Sequence, residues 1–175
     1  HTDNPYRRPC PTVQLLHCLE SAGAGGASRF SDGFAAADRL RVSAPDQFRV
    51  LTQTPVDFRF HGDGGDLRAR RPLIELGADG TVQAISVNHR SMEAPALPPA
   101  AADEFYAAYR AFVDLLDAPG AVAELTLGPG DLVVFDNRRV LHGRSGFELT
   151  GARRLQGCYV DIDAIRSRVR AGATA

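Results

Sequence analysis

Three side chains that commonly bind metal ions lie towards opposite ends of this chain of 175 residues. His1 and Asp3 are two residues apart, and in an extended segment side chains at that spacing point to the same side. The second imidazole, His142, lies near the other end of the sequence. Two imidazoles and one carboxylate form the facial triad typical of non-haem Fe(II), which leaves coordination positions open for other ligands. Only a fold that joins the two ends of the chain can complete such a site.

An arginine follows the second histidine and adds a second kind of binding group. Residues 142–144 read His-Gly-Arg, and Arg153 comes shortly after them. A guanidinium is always charged and its planar fork matches a carboxylate, so we expect Arg153 to hold a carboxylate-bearing co-substrate. His-x-Asp alone occurs by chance in many sequences. Together with the distant His-Gly-Arg and Arg153, it becomes a specific pattern for a metal site with an anionic co-substrate.

The composition is that of an ordinary globular domain with a sizeable core. Hydrophobic residues make up 44% of the chain and charged residues 23%, with a net charge of -1. This charge gives no electrostatic reason to expect nucleic acid or an anionic membrane as a partner. The basic clusters at 68–71 and 166–170 are interpreted as solvated faces. No apolar run approaches the roughly 20 residues that a membrane-spanning helix needs.

The cysteine content predicts a reducing compartment. The three cysteines are Cys10, Cys18 and Cys158, an odd number without paired spacing. Such a set argues against a disulfide framework and against a Cys-x-x-Cys metal site. We therefore expect a cytoplasmic protein.

Short apolar or alternating segments separated by turn residues predict a chain rich in strands. The predicted strands are 13–19, 29–33, 73–76, 82–87, 123–127, 132–135, 140–142 and 155–160. Segment 13–19 is apolar on both faces and is expected to be a central strand, and segment 132–135 is expected to be buried. Helices are expected after Asp32, Pro45 and Pro98-Pro99 and from about Asp163, and a mobile loop around 61–65. Many short strands with inserted helices predict a mainly β protein of barrel or jelly-roll architecture.

Several motifs together resemble one enzyme family along essentially the whole chain. In order, they are His-Thr-Asp-Asn-Pro-Tyr (1–6), Leu-His-Cys-Leu (16–19), Asp-Gly-Phe (32–34), Pro-Gly-Asp (129–131), Phe-Asp-Asn (135–137), Val-Leu-His-Gly-Arg (140–144) and Leu-Gln-Gly-Cys-Tyr (155–159). This set resembles the γ-butyrobetaine dioxygenase branch of the taurine dioxygenase-like Fe(II)/2-oxoglutarate oxygenases. The sister enzyme, trimethyllysine dioxygenase, shares most of these landmarks.

The resemblance implies a fold, an activity and a place in a longer protein. It implies a double-stranded β-helix, cupin-like and incomplete at its N-terminus, with residues 1–175 as a single catalytic domain in the C-terminal part of a longer oxygenase. It implies hydroxylation of a trimethylammonium substrate in carnitine biosynthesis, most simply γ-butyrobetaine to L-carnitine, with Fe(II), 2-oxoglutarate and O2. A homodimer is expected by family analogy alone.

The resemblance also implies a set of metal and co-substrate residues. His1, Asp3 and His142 match the family's iron ligands, and Arg153 matches the arginine that pairs with the far carboxylate of 2-oxoglutarate. Two further positions are expected to bind the co-substrate: Leu16, which lines its pocket, and Ser28, which reaches the near carboxylate. The family's Gly-Gly-Asp before that hydroxyl reads Gly-Gly-Ala at 25–27.

For the substrate, the resemblance points to one aromatic residue and one polar pair. Tyr159 matches an aromatic wall around the quaternary ammonium, which cation–π attraction can hold without a hydrogen-bond donor. Plain core packing is the alternative for Tyr159. The family's Asn-Asn pair, which recognises the substrate carboxylate, reads Asn88-His89 here, and His89 is either a pocket residue or a structural one. Asp136 and Asn137 are interpreted as turn formers that position the strand of His142.

Three other functions remain open at this stage. One is the same chemistry on trimethyllysine or another small betaine or amino acid. The second is a non-enzymatic cupin-like module whose site is incomplete. The third is a hydrolase that uses the same three ligands with Zn(II), although hydrolysis needs no dicarboxylate anchor such as Arg153.

Overall fold

The computed structural model describes residues 1–21, 26–62, 64–146 and 151–173. The elements within these ranges are β1 (Val13–Ser21), β2 (Ser28–Asp32), α1 (Gly33–Ser43), α2 (Pro45–Gln53), β3 (Val56–Gly62), β4 (Gly65–Arg71), β5 (Ile74–Leu76), β6 (Val82–Ile85), α3 (Pro99–Leu116), β7 (Val122–Leu125), β8 (Leu132–Asp136), β9 (Val140–Arg144), β10 (Arg153–Val160) and α4 (Ile162–Gly172). Strands and helices therefore occur where the sequence pattern placed them, with the differences given below.

Two three-stranded antiparallel sheets form the part of the fold that carries the site. One has the order β10-β1-β8, with β1 in the middle as its two apolar faces predict, and the other has the order β7-β2-β9. Aromatic rings connect the two sheets. The ring of Phe135 in β8 lies 5.4 Å from that of Phe30 in β2 and 5.3 Å from that of His142 in β9. The inner faces of the two sheets therefore meet around His142.

The two remaining sheets are hairpins, and one of them corrects the sequence prediction. Instead of a mobile loop around 61–65, β3 and β4 pair as far as Gly62 and Gly65, and residue 63 lies outside the described residues. Phe58 of β3 is fully buried, and Asp66 of β4 pairs with Arg59 across the strands at 2.9 Å. Buried aromatic packing and cross-strand charge pairing extend the strands into a segment whose glycine content suggests a loop. The other hairpin, β5–β6, lies where it was predicted.

The helices begin at the predicted residues. The Asp32 carboxylate accepts hydrogen bonds from the backbone N–H groups of Phe34 and Ala35 at 3.0 and 3.2 Å, which satisfies two free donors at the start of α1. Proline stands in the first turn of both α2 and α3, where its missing N–H costs nothing.

The main hydrophobic core lies between helices α1–α3 and the hairpins, beside the two site-bearing sheets. Its fully buried large side chains include Leu40, Leu51, Phe58, Phe105 and Phe112. None of the helices in the described ranges is both long and apolar enough to cross a membrane.

The prediction that segment 132–135 is a buried strand is wrong. Leu132 and Val134 of β8 are 52% and 55% exposed, and only Phe135 of that strand is buried. The reason is positional: β8 is an edge strand, and Leu132 and Val134 point to the face of the sheet opposite to that of Phe135. Helix α4, which follows β10, likewise has no buried residue.

Candidate functional site

The structure brings the two ends of the chain together at His1, Asp3 and His142. One potential ligand atom from each of these residues lies within 4.8 Å of the other two. The Nε2 atom of His1 is 3.4 Å from Oδ1 of Asp3, and Nε2 of His142 is 3.7 Å from Oδ2. In this arrangement two nitrogen atoms and one carboxylate face a common point, which is the donor set of a 2-His-1-carboxylate iron site.

Backbone and side-chain hydrogen bonds fix the segment that carries His1 and Asp3. The N–H of His142 donates to the carbonyl of His1 at 2.9 Å, which ties the segment to β9. On the other side, the N–H of Thr2 donates to the carbonyl of Val87 at 2.7 Å, and the Asn88 side-chain amide donates to the carbonyl of Thr2 at 3.0 Å. Thr2 is almost fully buried. The segment is therefore held between β9 and the residues that follow β6.

Asn137 holds Asp3 through the backbone, a role that the sequence analysis missed. Its side-chain oxygen accepts the N–H of Asp3 at 2.7 Å, and its amide donates to the carbonyls of Asp3 at 2.9 Å and Pro11 at 3.0 Å. Asn137 is fully buried. The sequence predicted only a turn former, because an Asp-Asn pair between two strands gives no sign of a partner near the opposite end of the chain.

The Asp3 carboxylate is held by two further side chains. Gln14 of β1 donates its amide N–H to Oδ2 of Asp3 at 2.7 Å, and the Tyr159 hydroxyl of β10 donates to the same oxygen at 2.7 Å. Burial opposes ionisation of this carboxyl, but hydrogen bonds from His1 and Tyr159 and the nearby His142 outweigh burial and hold its pKa well below the usual range. Asp3 is therefore a carboxylate at neutral pH.

His142 is kept uncharged by its surroundings. Burial, followed by the nearby His1, lowers its pKa to about 4, although Asp3 acts in the opposite direction. A neutral imidazole has a free lone pair, which metal coordination requires. An uncharged His142 beside an ionised Asp3 therefore fits a divalent cation such as Fe(II).

The predicted co-substrate residues lie on the inner faces of the two sheets. Arg153 of β10 donates to the Ser28 hydroxyl of β2 at 2.9 Å, so this contact joins the sheets. Burial, together with the nearby Arg144, lowers the pKa of Arg153, which nevertheless stays charged at neutral pH. Leu16 lies opposite Gly157 in the register of β1 and β10, on the same face of β1 as Gln14. Ser28 was expected to reach the near carboxylate of 2-oxoglutarate. It instead hydrogen-bonds Arg153, the residue expected to bind the far carboxylate.

Tyr159 is a rim residue whose ring is partly exposed. It is 43% exposed, which rules out plain core packing, the alternative interpretation of this residue. Beyond its hydrogen bond to Asp3, its ring lines an open cleft together with Asn4, Tyr6 and Asp161. The ring of Tyr6 stacks on that of Phe60, with centroids 5.3 Å apart.

The predicted pair Asn88-His89 lies in a different place from Tyr159. The side-chain N–H of Asn88 donates to the Thr2 carbonyl, and its side-chain oxygen accepts the N–H of Arg90. Asn88 therefore supports the segment that carries His1 and Asp3. His89 hydrogen-bonds the Tyr109 hydroxyl at 2.7 Å and lines a cavity of about 200 Å³ with His1 and His142. That cavity does not include Tyr159. Among the described residues, His89 and Tyr159 therefore line two separate concavities, and Asn88 is buried and lines neither of them.

The chain is similar in sequence to known dioxygenases. The sequence model of the family described as taurine catabolism dioxygenase TauD, TfdA family, matches residues 1–159. The chain is 41% identical over 175 residues to the γ-butyrobetaine dioxygenase of Pseudomonas sp. (strain AK-1) and 37% identical over 176 residues to that of Homo sapiens. It is 32% identical over 179 residues to the mitochondrial trimethyllysine dioxygenase of Gallus gallus. Each alignment covers 97% of this chain but 44%, 46% and 42% of the respective relative. The chain thus spans less than half the length of these relatives.

Solved structures confirm the predicted fold class. An asparagine oxygenase in complex with Fe(II), 3-hydroxyasparagine and succinate matches with a TM-score of 0.70 at 23% identity, over 95% of this chain and 51% of that one. A taurine dioxygenase from Burkholderia xenovorans matches with a TM-score of 0.72 at 18% identity, over 91% of this chain and 57% of that one. The fold is the jelly-roll double-stranded β-helix of these oxygenases.

Proposed function

Because this chain belongs to the TauD, TfdA family of dioxygenases, we propose that it is the C-terminal catalytic part of an Fe(II)- and 2-oxoglutarate-dependent hydroxylase. In this proposal residues 1–175 form a single catalytic domain within a longer oxygenase. One observation carries the proposal: His1, Asp3 and His142 converge on one point, and the inner faces of the same two sheets also carry the Arg153–Ser28 contact.

The residues of the site have separate tasks in the proposed reaction. His1, Asp3 and His142 would hold the iron, and three protein ligands would leave coordination positions open for the co-substrate and O2. Iron in this site supplies the oxidising chemistry that couples decarboxylation of 2-oxoglutarate to hydroxylation of the substrate. Arg153 and Ser28, which hydrogen-bond one another, bind one carboxylate of 2-oxoglutarate together, and Leu16 supplies an apolar wall along the β1 face.

We propose γ-butyrobetaine as the substrate and L-carnitine as the product. The two γ-butyrobetaine dioxygenases match at 41% and 37% identity, against 32% for the trimethyllysine dioxygenase of Gallus gallus. A quaternary ammonium has no hydrogen-bond donor and is held by aromatic faces. The exposed ring of Tyr159 beside Tyr6 supports this role, and His89, in the cavity next to His142, is proposed to contact the substrate carboxylate. Trimethyllysine or another small betaine is the alternative substrate.

A metal titration separates the oxygenase from the non-enzymatic module and the Zn(II) hydrolase. Anaerobic addition of Fe(II) and 2-oxoglutarate to the full-length protein is expected to give a visible charge-transfer band. Arg153→Ala should weaken 2-oxoglutarate binding at least tenfold and leave Fe(II) binding nearly unchanged, because the lost guanidinium hydrogen-bonds Ser28 and is proposed to bind the co-substrate rather than the metal. Arg154→Ala is the matched control, since the neighbouring Arg154 is exposed and pairs only weakly with Glu20 at 3.9 Å. Absence of the band, or equal loss of both affinities in Arg153→Ala, would contradict the oxygenase assignment.

Turnover of 2-oxoglutarate to succinate, coupled to each candidate substrate, identifies the substrate. Succinate release is measured with γ-butyrobetaine and with trimethyllysine at equal concentration. We expect a higher kcat/KM for γ-butyrobetaine, and a preference for trimethyllysine would replace the substrate while leaving the reaction class intact.

We also propose a cytoplasmic location and a homodimeric assembly. The three cysteines are free, as expected for a protein of the reducing cytoplasm. The exposed Leu132 and Val134 on the outer face of β8 support self-association as a homodimer. Sedimentation of the full-length protein is expected to give twice the monomer mass, and monomeric behaviour at micromolar concentration would remove the dimer from the proposal.

A further inference from the structure

The two oxygens of the Asp3 carboxylate are treated differently by the protein. Oδ2 accepts two strong hydrogen bonds, from the Gln14 amide and the Tyr159 hydroxyl, each at 2.7 Å. Oδ1 accepts neither of these bonds and lies 3.4 Å from His1 Nε2, while His142 Nε2 lies 3.7 Å from Oδ2. A carboxylate oxygen that already accepts two donors has little capacity left for a metal ion, whereas its partner oxygen is free to bind one.

The two donors form a fixed pair in the sheet. Gln14 of β1 and Tyr159 of β10 lie directly opposite one another in the antiparallel register, so their side chains leave the sheet on the same face. The hydrogen-bonded pairing of β1 with β10 therefore sets the positions of these two side chains, and both reach Oδ2 of Asp3.

The burial of Gln14 supports a specific role for its amide. Gln14 is 2% exposed, and its Oε1 atom has no hydrogen-bond partner among the described residues. Burying an amide whose carbonyl is unsatisfied costs free energy that an apolar side chain would avoid. An amide at this position is thus explained by what its N–H group does, which is to hold Asp3.

We propose that Gln14 and Tyr159 are positioning residues that reserve Oδ2 of Asp3 and leave Oδ1 as the single carboxylate oxygen bound to the metal. This inference rests on the proposed function, because it takes Asp3 as a metal ligand. Hydrogen bonds to a ligating carboxylate orient it and tune its metal affinity, and their removal typically weakens metal binding 10- to 100-fold. The Tyr159 hydroxyl thereby acquires a task separate from that of its ring.

The test measures metal binding in the full-length protein without turnover. Mn(II) affinity is measured by electron paramagnetic resonance, and the intensity of the d–d absorption bands of Co(II) reports the coordination number. Tyr159→Phe keeps the ring and removes one hydroxyl, and Gln14→Leu removes the amide. Each is expected to weaken Mn(II) binding about 10- to 100-fold. In the double variant Oδ2 becomes free to bind the metal as well, so the Co(II) bands are expected to weaken as the coordination number rises.

The controls make the same chemical changes away from the site. Tyr106→Phe removes a hydroxyl from an exposed tyrosine of α3, and Gln156→Leu removes an amide from the outward face of β10. Both should bind Mn(II) like the native protein. Thermal unfolding of the metal-free variants reports folding separately, and Tyr159→Phe carries the test alone should Gln14→Leu not fold.

The outcomes distinguish this inference from the proposed function. Native protein that fails to bind Mn(II) would overturn the proposed function itself. Native protein that binds Mn(II) and 2-oxoglutarate, together with Tyr159→Phe and Gln14→Leu variants of unchanged Mn(II) affinity and Co(II) spectrum, would overturn only the positioning role.

Discussion

Asn137 shows how much of the candidate metal site depends on residues that are not themselves proposed metal ligands. It makes three hydrogen bonds to backbone groups, two of them to Asp3, without any exposure to solvent. The proposed ligands His1, Asp3 and His142 could be picked out from the sequence because few residue types bind iron in this combination. Asn137 and Gln14 were not, because asparagine and glutamine occur in many contexts and their partners lie on other parts of the chain.

Replacement of Asn137 by alanine is expected to destabilise the protein and the metal site together. The change removes the hydrogen-bond partner of the Asp3 N–H and of the Pro11 carbonyl and leaves the Asp3 carbonyl with the weaker Cys10 thiol at 3.6 Å, at about 2–4 kcal/mol of unfolding free energy. Urea unfolding measures this loss, and an Mn(II) titration of the folded fraction should show weaker binding. Asn88→Ala removes two hydrogen bonds, one to the Thr2 carbonyl and one from the Arg90 N–H, against three for Asn137→Ala, and should cost less. Equal stability of Asn137→Ala and the native protein would contradict the role described for Asn137.

The protonation of His142 is directly measurable. Its pKa is lowered to about 4, from an ordinary value of 6.5, chiefly by burial. The unfolded chain therefore binds this proton more readily than the folded protein, so stability is lost as pH falls from about 6.5 to about 4. Nuclear magnetic resonance of the metal-free protein should show the ring protons of His142 titrating near pH 4, and a midpoint above pH 6 would contradict the described burial.

At the scale of elements, alternation and turn residues predicted most strands, but not which faces are covered. Strand β1 is central, as predicted from its two apolar faces, because it pairs with β8 and β10. Strand β8 has the same kind of sequence, yet Leu132 and Val134 are half exposed. An apolar run does not reveal whether another layer lies on its outer face. The hairpin around residues 62–65 was missed because glycines at a tight turn look like a longer loop.

The cap of α1 gives a prediction at this scale. A hydrogen bond and ion pair with Arg139 lower the pKa of Asp32, and burial only partly opposes this shift. A depressed carboxyl pKa contributes stability above its ordinary value of 3.8, and that stability is lost as pH falls through the folded value. Asp32→Ala is expected to cost about 1–2 kcal/mol at pH 7.

The measurement is urea unfolding at pH 7 and again near pH 3, where the difference between Asp32→Ala and the native protein should shrink. Asp38→Ala is the control in the same helix, because Asp38 is exposed and lies 3.9 Å from Arg41. A cost for Asp38→Ala as large as for Asp32→Ala would argue against capping.

Across the whole molecule, stability and chemistry are assigned to different regions. The fully buried aromatic rings belong to the core that α1–α3 form with the hairpins, and the inner faces of the two larger sheets carry Gln14, Ser28, His142 and Arg153, next to His1 and Asp3. The sequence predicted the second region, since the motif residues indicate chemistry. It could not tell that His89 and Tyr159 lie in separate concavities, because spacing along the chain does not determine which side of a sheet a cavity occupies.

Substitutions in the two regions should therefore separate stability from activity. Phe112→Ala removes a fully buried ring and is expected to cost about 3–5 kcal/mol of unfolding free energy. Val42→Ala, at a side chain that is 85% exposed, should change stability by less than about 0.5 kcal/mol. Arg153→Ala should have a small effect on stability and a large one on turnover. A stability loss in Arg153→Ala as large as in Phe112→Ala would show that the two regions are not separate.

The position of the three ligands gives the proposed metal a mechanical consequence. An ion bound by Asp3 and His142 closes most of the polypeptide into one ring, as a disulfide would, but through bonds that form and break with metal supply. Covalent closure of a loop of about 100 residues removes conformational entropy from the unfolded chain and so raises its free energy by about 5 kcal/mol. When iron is scarce, the protein would lose this cross-link together with the metal ion that the proposed reaction requires. The exposed Arg7–Arg8 stretch beside the first ligands should then become a preferred site for trypsin.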